Sequence, residues 1–331
     1  MVNTGSSKTS LILTVTRQCN LRCAYCPTAK DGWPSLSKED VRKAIDLYID
    51  RFGGGEIKLF GGEPLLEPEV VREVFRWVEY RDEIRWVYLS TNGLGLDASW
   101  LEMLMAYPKG ILTLSLDGTA KQNRRFRRPA HGEVPDAYDH IQTLRPLLLK
   151  TPRLVVTQTI APAAAVHAAE NFKHLLSLGF WRFNLLPGYY LPWTDKQLDA
   201  LVRSFDEIAE IMERRWNADQ PMYLRNLFTW APTPFFNTGM IVDSDRTIHP
   251  SNVGLSGQLS GLRGRTQVGD LDSPPTMQQL SDRARDIDGL LKGSLSEHVW
   301  SSTQRVDAAL SRLCQRLYPT FVAYKKRRSA A

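Results

Sequence analysis

The sequence predicts an α/β fold, in which a partial (β/α)6 TIM-type barrel is followed by a small α+β C-terminal domain. Short β-rich runs alternate with amphipathic helical patterns over the first two-thirds of the chain. Parallel strands need helical crossovers, so this alternation favours a parallel sheet. Six strand–helix units are too few for a complete eight-stranded barrel, but they suit an open one.

Six strands and six helices account for the alternation. Ser37 is a suitable N-cap for the first helix, and acidic residues follow it in the first turn. The predicted strands cover residues 11–16, 56–60, 84–90, 111–116, 154–160 and 181–186. The predicted helices cover residues 37–52, 68–82, 97–106, 135–149, 163–178 and 194–216. In such barrels the functional groups collect at the carboxyl ends of the strands.

The pattern changes after about residue 221. Short apolar runs flank a turn and predict a hairpin over residues 240–249, and a Gly/Ser-rich stretch follows. Helical patterns return at residues 277–291 and 297–318. We therefore predict a barrel domain over residues 1–220 and a C-terminal domain over residues 221–331.

The composition excludes several classes of protein. The chain has 331 residues, of which 43% are hydrophobic and 24% charged, so disorder and membrane classes fit poorly. No apolar stretch reaches the roughly 18 residues needed to span a bilayer. Only 4 cysteines are present, which excludes a disulfide-dense secreted scaffold. The N-terminus lacks the apolar segment of a signal peptide, so we expect a cytoplasmic protein with no membrane partner.

The net charge of +6 raises the alternative of a nucleic-acid partner. Two short basic clusters lie at residues 124–128 and 325–328, but aromatic residues do not alternate with them as in a stacking platform. For the second cluster we therefore expect a solvated, basic tail. An RNA-modifying enzyme would instead bind RNA with a strong dependence on salt.

Three of the four cysteines lie in one short segment after the first predicted strand. Cys19, Cys23 and Cys26 follow a C-x3-C-x2-C spacing. Structural zinc normally takes four ligands, and no matching pair of Cys or His residues follows. An iron–sulfur cube held by three cysteines leaves one iron open for a substrate or a cofactor.

This loop resembles the signature of the radical S-adenosylmethionine (radical SAM) superfamily, including the aromatic Tyr25 before the third cysteine. The resemblance implies that Cys19, Cys23 and Cys26 ligate one 4Fe–4S cluster and that Tyr25 lies at the cofactor. It implies further that the open iron binds S-adenosylmethionine (SAM), which the reduced cluster cleaves to methionine and a 5′-deoxyadenosyl radical. A flavodoxin- or ferredoxin-type reductant would supply the electron.

A second motif, Gly61-Gly62-Glu63-Pro64, ends the second predicted strand. Glycines there allow close approach of the backbone to a ligand, and Glu63 can accept a hydrogen bond from a cationic amine. The resemblance implies that this motif binds the amino group of the methionine moiety. Without its position after a strand, the same sequence would be an ordinary turn.

Polar residues also end the third and fourth predicted strands. Thr91 and Asn92 lie in a Ser-Thr-Asn-Gly segment, and Ser115 and Asp117 lie in a Ser-Leu-Asp-Gly segment. Their hydroxyl, amide and carboxylate groups suit hydrogen bonds to the ribose and amino-acid parts of SAM. The alternative is that both segments are simple turns at strand ends.

Three more residues are expected at the cofactor. Arg127 and Arg128 fall where the superfamily often places an arginine that pairs with the methionine carboxylate, and we choose Arg128 over a solvated alternative. Gln158 is polar within an apolar strand, so we expect it to reach the cofactor or the substrate. Leu186 ends the sixth strand, where related enzymes pack the adenine; core packing is the alternative.

The segment from residue 236 to about residue 271 resembles the SPASM/twitch extension of peptide maturases such as anaerobic sulfatase maturases. That extension holds auxiliary iron–sulfur clusters with cysteines near Asn237 and Ser251, where this chain has none. Cys314 is the one later cysteine, and one thiol cannot hold a cluster. We therefore predict a cluster-free domain that serves as a substrate-binding lid.

The predicted function is abstraction of a hydrogen atom from a substrate, with 4Fe–4S and SAM as cofactors. Without an auxiliary electron acceptor, we expect epimerisation, rearrangement or carbon–carbon bond formation on a peptide or natural product. Cys314 is a candidate hydrogen donor to the substrate radical, and a small buried side chain is the alternative. A sugar- or nucleoside-modifying enzyme and an inactive metal-binding partner protein remain as alternative functions.

Overall fold

The computed structural model describes residues 10–229 and 239–330. Asn237 lies outside the described residues. The strands are β1 (Ser10–Thr16), β2 (Leu21–Cys23), β3 (Gly55–Gly61), β4 (Ile84–Thr91), β5 (Gly110–Ser115), β6 (Arg127–Pro129), β7 (Leu154–Ile160), β8 (Arg182–Pro187), β9 (Tyr223–Leu224), β10 (Gly239–Val242), β11 (Thr247–His249) and β12 (Gly269–Asp270). The helices are α1 (Lys38–Phe52), α2 (Pro68–Trp77), α3 (Ala98–Ala106), α4 (Ala120–Phe126), α5 (Ala137–Leu148), α6 (Ala168–Ser177), α7 (Asp195–Asn217), α8 (Asn226–Thr229), α9 (Arg263–Thr266), α10 (Met277–Lys292) and α11 (Glu297–Ala330).

The six predicted strands are confirmed as β1, β3, β4, β5, β7 and β8, and each pairs in parallel with its neighbour in that order. The larger sheet continues from β8 to β9 and, on the other side of β1, through β10, β11 and β12. A separate two-stranded antiparallel ribbon joins β2 to β6. The predicted partial barrel is confirmed.

A contact between distant strands shows how strongly the sheet curls. Arg225 directly follows β9, and its guanidinium carbon lies 4.5 Å from the ring centroid of Tyr88 on β4. Three strands separate β4 from β9 in the sheet, so a flat sheet would hold them about 19 Å apart. The two side chains therefore meet across the interior of an open barrel.

Side chains alternate between the two faces of each barrel strand. Ile57 and Leu59 on β3, like Val87 and Leu89 on β4, are fully buried in the apolar core against the helices. The intervening side chains project into the barrel interior and stay partly accessible, including Lys58 on β3. The core therefore lies between sheet and helices, and the interior is left for ligands.

The predicted helices are confirmed, with three differences at their ends. The last helix, predicted over residues 297–318, continues to Ala330. Ser37 caps α1 in a reciprocal capping box with Asp40, as expected from its position. The helix predicted over residues 163–178 begins as a 3-10 turn over Pro162–His167, and α6 follows from Ala168. The helix α2 ends at Trp77, five residues before the predicted end.

The last part of the chain extends the barrel sheet. β10 pairs in parallel with β1, and β11 returns antiparallel to β10, which confirms the predicted hairpin. α11 packs along α7 on the outside of the barrel. The predicted division between residues 220 and 221 stays a prediction. Within the described ranges, no helix is both long enough and apolar enough to cross a membrane.

Candidate active site

The three clustered cysteines lie on the loop between β1 and α1, at the carboxyl edge of the sheet. The loop is tied down by the ribbon of β2 and β6, in which Cys23 is the register partner of Arg127. The amide of Ala24 also donates to the carbonyl of Phe126 at 2.8 Å. All three cysteine side chains are partly exposed. The fold therefore presents them to the mouth of the barrel.

Each thiol has a polar donor beside it. The Lys30 ammonium is 3.1 Å from Sγ of Cys26, Nη1 of Arg127 is 4.0 Å from Sγ of Cys23, and Nδ2 of Asn92 is 3.9 Å from Sγ of Cys19. Burial raises the pKa of Cys19, and it raises the pKa of Cys23 to about 12. Donors at this range would favour the thiolate forms that a metal requires.

A cluster and a single metal ion differ in the arrangement of thiolates that they need. One Zn²⁺ ion would bind each thiolate at about 2.3 Å and draw the ligands together. No group of three or more His, Cys, Asp or Glu side chains in the described ranges converges on one ion in this way. An iron–sulfur cube bonds each thiolate to a different iron and needs a wider triangle. Cys19, Cys23 and Cys26 lie close enough to act electrostatically on one another.

A buried network of three side chains lies directly behind the loop. The Tyr25 hydroxyl donates to Oδ2 of Asp117 at 2.6 Å, and Nη2 of Arg127 donates to Oδ1 at 3.1 Å. The amide of Thr159 donates to the same Oδ1 at 3.2 Å. Burial opposes the charged guanidinium and is the largest single influence, but Asp117, Tyr25 and Cys23 together outweigh it and raise the pKa of Arg127. Nε of Arg127 is buried and has no hydrogen-bond partner among the described residues.

The choice of Arg128 as the site arginine is corrected by this arrangement. Successive residues of a strand point to opposite faces, so Arg127 turns toward Cys23 while Arg128 turns to solvent. Nε of Arg128 donates only to the carbonyl of Arg125, at 3.3 Å. Arg127 is therefore the arginine that the fold brings to the cysteine loop.

Gly61 and Gly62 are required by the cysteine loop itself. A Cβ at Gly61 would collide with the carbonyl oxygen of Thr16, and a Cβ at Gly62 would collide with that of Gln18. The amides of Gly62 and Glu63 donate to these two carbonyls, each at 2.8 Å. The expected close approach is thus an approach of backbone to backbone, which fixes the cysteine loop against the end of β3.

Glu63 is enclosed by protein donors, contrary to the expectation of an open acceptor for an amine. Its carboxylate accepts from Oγ1 of Thr91 at 2.7 Å, from the amide of Asn92 at 2.7 Å and from the amide of Leu65 at 3.1 Å. Burial raises the pKa of Glu63, and these hydrogen bonds counteract the rise. Pro64 is buried at the start of the following 3-10 turn. The motif therefore supports the site through hydrogen bonds within the protein.

Thr91 and Asn92 connect the end of β4 to the cysteine loop. Beyond its bond to Glu63, Oγ1 of Thr91 accepts from the amide of Gly93 at 3.0 Å. Nδ2 of Asn92 donates to Oδ1 of Asn20 at 2.7 Å, which places Asn92 beside Cys19. Asn92 therefore lies beside the cysteine loop, and Thr91 supports Asn92 through their shared acceptor Glu63.

Ser115 and Leu186 face the interior near the carboxyl edge and keep part of their surfaces exposed, so their predicted roles stay predictions. Gln158 does not face this space. It shares the helix-facing side of β7 with Val156 and Ile160, and its Nε2 donates to the carbonyl of Ala168 at 2.9 Å. The expectation that Gln158 reaches the cofactor or substrate is therefore corrected.

Cys314 is buried in the apolar core on α11, near Tyr189. Burial raises the pKa of Cys314 to about 12, which keeps it a neutral thiol. Tyr189 follows the end of β8, so the thiol lies behind the carboxyl edge of the sheet rather than in the interior. Its role as a hydrogen donor stays a prediction.

The C-terminal segment packs directly on the cysteine loop. The amide of Ala29 donates to the carbonyl of Leu255, and the amide of Gly257 donates to that of Pro27, both at 2.9 Å. Ser251 is buried and caps the 3-10 turn of Asn252–Leu255 through the amide of Val253 at 3.4 Å. Ser251 thus closes a turn at the place where the SPASM resemblance expects a cluster ligand.

A buried ion pair holds these two segments together. The guanidinium of Arg17 binds the carboxylate of Asp243 through both oxygens, with Nε 3.1 Å from Oδ1, and the two side chains are 1% and 2% exposed. The guanidinium carbons of Arg17 and Arg263 lie 3.6 and 4.8 Å from the ring centroid of Trp33. Local sequence gives no sign of this pairing, because Arg17 and Asp243 are 226 residues apart.

Comparisons with known proteins agree with this geometry. Residues 13–160 match the profile described as "Radical SAM superfamily". A GTP 3′,8-cyclase of Lactiplantibacillus plantarum is 33% identical over 148 residues, which is 43% of this chain and 43% of that protein. A GTP 3′,8-cyclase of Streptomyces coelicolor is 37% identical over 100 residues, 28% of each chain. This chain thus spans less than half of either relative.

The fold is similar to two solved structures over most of the chain. "Native anSMEcpe with bound AdoMet and Cp18Cys peptide" matches with a TM-score of 0.71 and 16% identity, covering 94% of this chain and 99% of that one. Streptococcus suis SuiB bound to its precursor peptide SuiA matches with a TM-score of 0.59 and 13% identity, covering 89% and 66%. At such identities the likeness concerns the fold. The sequence match to the superfamily covers residues 13–160, which is less than half of this chain.

Proposed function

We propose that this chain cleaves SAM reductively and abstracts a hydrogen atom from a bound substrate. The match of residues 13–160 to the radical SAM superfamily supports this proposal. The main supporting observation is that three partly exposed thiols and the buried Arg127 lie together at one edge of the sheet. Each of the three thiols also has a polar donor beside it.

The cysteine loop would hold the cluster, and its surroundings would hold SAM. When bound, these cofactors supply a 5′-deoxyadenosyl radical that removes hydrogen from an unactivated carbon. Cys19, Cys23 and Cys26 are the cluster ligands in this proposal. Arg127 carries an unsatisfied buried Nε, and a guanidinium fork suits the carboxylate of the methionine moiety.

Other residues in the proposal act by positioning. Asp117 holds Arg127 and Tyr25 from behind through its two carboxylate oxygens. Glu63 fixes the turn that brings Asn92 against Cys19. Because their own hydrogen bonds are satisfied within the protein, we assign neither carboxylate a proton transfer. The barrel walls and the segment over residues 252–262 would exclude water from the radical.

We propose a peptide or another natural product as the substrate, modified by epimerisation, rearrangement or carbon–carbon bond formation. The supporting observation is that the likeness to the two peptide-bound structures extends through the C-terminal segment. A nucleotide is the second candidate, supported by the names of the sequence relatives. Those matches cover less than half of each relative. The electron donor would be a flavodoxin- or ferredoxin-type protein.

Anaerobic reconstitution tests the proposal. We expect about four irons per chain, bound through three cysteines. Dithionite should then release methionine and 5′-deoxyadenosine from SAM, and a Cys23→Ala variant should release neither. The control is Arg203→Ala, at an exposed position on α7. Leu21→Ala would be a poor control, because Leu21 is buried. Zinc binding without SAM cleavage would overturn the proposal and favour a metal-binding partner protein.

A further inference from the structure

The ribbon of β2 and β6 has an outer face that the cofactor site does not use. Arg22 and Arg128 are register partners across the ribbon, on the face opposite to Cys23 and Arg127. Arg128 is exposed, and the Arg22 side chain is 40% exposed. Register partners in an antiparallel pair have Cβ atoms about 5 Å apart, and like charges at that separation are destabilising. The fold therefore holds two cations side by side at a cost in stability.

Two further cations extend this face along α4. Arg125 lies at the end of α4, and its carbonyl accepts a hydrogen bond from Nε of Arg128 at 3.3 Å. Lys121 lies one turn earlier on the same side of the helix, and the side chains of Lys121 and Arg125 are both exposed. We call Arg22, Lys121, Arg125 and Arg128 the ribbon cations.

The ribbon cations carry an excess of positive charge. Among the residues that the structure describes, Asp31 is the one carboxylate that forms an ion pair with any of them, at 3.1 Å from Arg22. The neighbouring Arg124 does not add to the excess, because its guanidinium binds Asp136 and Asp139. Three of the four ribbon cations therefore present their charge to solvent without an ion-pair partner.

This face lies directly over the cysteine loop. Arg22 precedes Cys23 in the chain, and its Nη1 donates to the carbonyl of Cys19 at 2.7 Å. Two layers of secondary structure that pack face to face lie about 10 Å apart, so a protein seated on the ribbon comes within about one layer of the thiols. An electron donor needs such closeness to the proposed cluster, and it needs no access to the barrel interior.

We propose that the ribbon cations form the docking face for the acidic surface of a flavodoxin-type electron donor. Complementary charge sets the rate and the orientation of such transient encounters. In the docked complex one electron passes from the reduced flavin of the partner, which is oxidised, to the cluster, which is reduced. This inference rests on the proposed function, because only a redox-active centre behind the ribbon gives an electron donor a reason to dock there.

Calorimetric titration of the reconstituted chain with an acidic bacterial flavodoxin tests the docking face directly. We expect binding at low salt that weakens as added salt screens the charges. The double variant Lys121→Glu/Arg128→Glu should raise the dissociation constant at least about tenfold, the lower end of the effect of steering charges. Arg128→Lys keeps the charge and should bind like the parent chain. The control Lys196→Glu/Arg203→Glu changes two exposed positions on α7 and should leave the dissociation constant unchanged.

The choice of reductant separates docking from catalysis. Dithionite is small and needs no docking face, so in excess it should drive formation of 5′-deoxyadenosine by Lys121→Glu/Arg128→Glu at the parent's rate. With flavodoxin and its NADPH-dependent reductase, the same double variant should be slower by at least about tenfold. Equal losses with both reductants would overturn the inference, since the two cations would then act on the cofactor site.

Three binding results would also overturn the inference. They are the absence of flavodoxin binding by the parent chain, unchanged flavodoxin binding by the double variant, and a loss confined to polyuridylic acid. The last result would show that the ribbon cations bind nucleic acid. The proposed function is judged separately, because a parent chain that forms no 5′-deoxyadenosine with dithionite would contradict that function whatever flavodoxin does.

Discussion

Cys23 and Arg127 are register partners across the ribbon of β2 and β6, with the guanidinium 4.0 Å from the thiol. The same guanidinium binds Asp117, which also accepts from the amide of Thr159 on β7. One arginine therefore connects the cysteine loop to two barrel strands. The neighbouring Arg128 shares the ribbon but takes no part in this connection, because it lies on the opposite face.

Arg127→Ala and Arg128→Ala should differ sharply in SAM binding. Loss of Arg127 removes the proposed carboxylate partner and leaves the buried Asp117 without its cation. We expect the dissociation constant for SAM to rise at least about tenfold in Arg127→Ala and to stay within about twofold in Arg128→Ala. Equilibrium dialysis with labelled SAM measures both. Equal losses in the two variants would contradict the assignment.

Lys30→Met should shift the reduction potential of the reconstituted cluster. The Lys30 ammonium contacts Sγ of Cys26 and would stabilise the added negative charge of the reduced state. We expect a potential more negative by about 60 mV, the one-electron equivalent of a tenfold change in equilibrium constant. Spectroscopic redox titration measures it. Lys196→Met, on the exposed face of α7, is the control and should leave the potential unchanged.

Asp243→Asn should destabilise the fold much more than the loss of an exposed ion pair. Removing one partner leaves the buried Arg17 charge uncompensated, at a cost of about 3–5 kcal/mol in the free energy of unfolding. Arg305→Ala breaks the exposed pair with Asp195 and should cost no more than about 1 kcal/mol. Urea unfolding of the apoprotein compares the two. A similar small loss for both would show that the buried pair does not hold the C-terminal segment.

Cys314 should resist alkylation at pH 8. The thiolate is the nucleophile, and a pKa near 12 leaves only about one thiolate in ten thousand at that pH. Peptide mapping after brief treatment of the folded apoprotein with iodoacetamide should therefore find Cys314 unmodified, whereas treatment in urea should modify it. Fast modification in the folded chain would mean that the thiol is accessible.

Cys314→Ser separates the two interpretations of this thiol. A buried structural residue predicts unchanged SAM cleavage, and so does a hydrogen donor, because cleavage precedes the return of hydrogen. Only a donor predicts that turnover or product stereochemistry changes. Unchanged turnover and stereochemistry would end the donor hypothesis.

The sequence by itself determined the barrel and the grouping of three thiols on one loop. Strand and helix periodicities differ, so their alternation along the chain identified six parallel strands. The three thiols lie within eight residues of one loop, so no tertiary information was needed to place them together. The carboxyl-edge rule for parallel sheets then placed Asn92 and Asp117 near that loop.

Only the tertiary structure decided which face each side chain takes and which distant partner it meets. Arg127 and Arg128 are adjacent in sequence, and the register of β2 against β6 selects between them. Gln158 was misplaced because a fully buried strand shows no alternation to separate its two faces. Asp243 lies 226 residues from Arg17, and local sequence contains no signal for a contact that chain folding creates at such a separation.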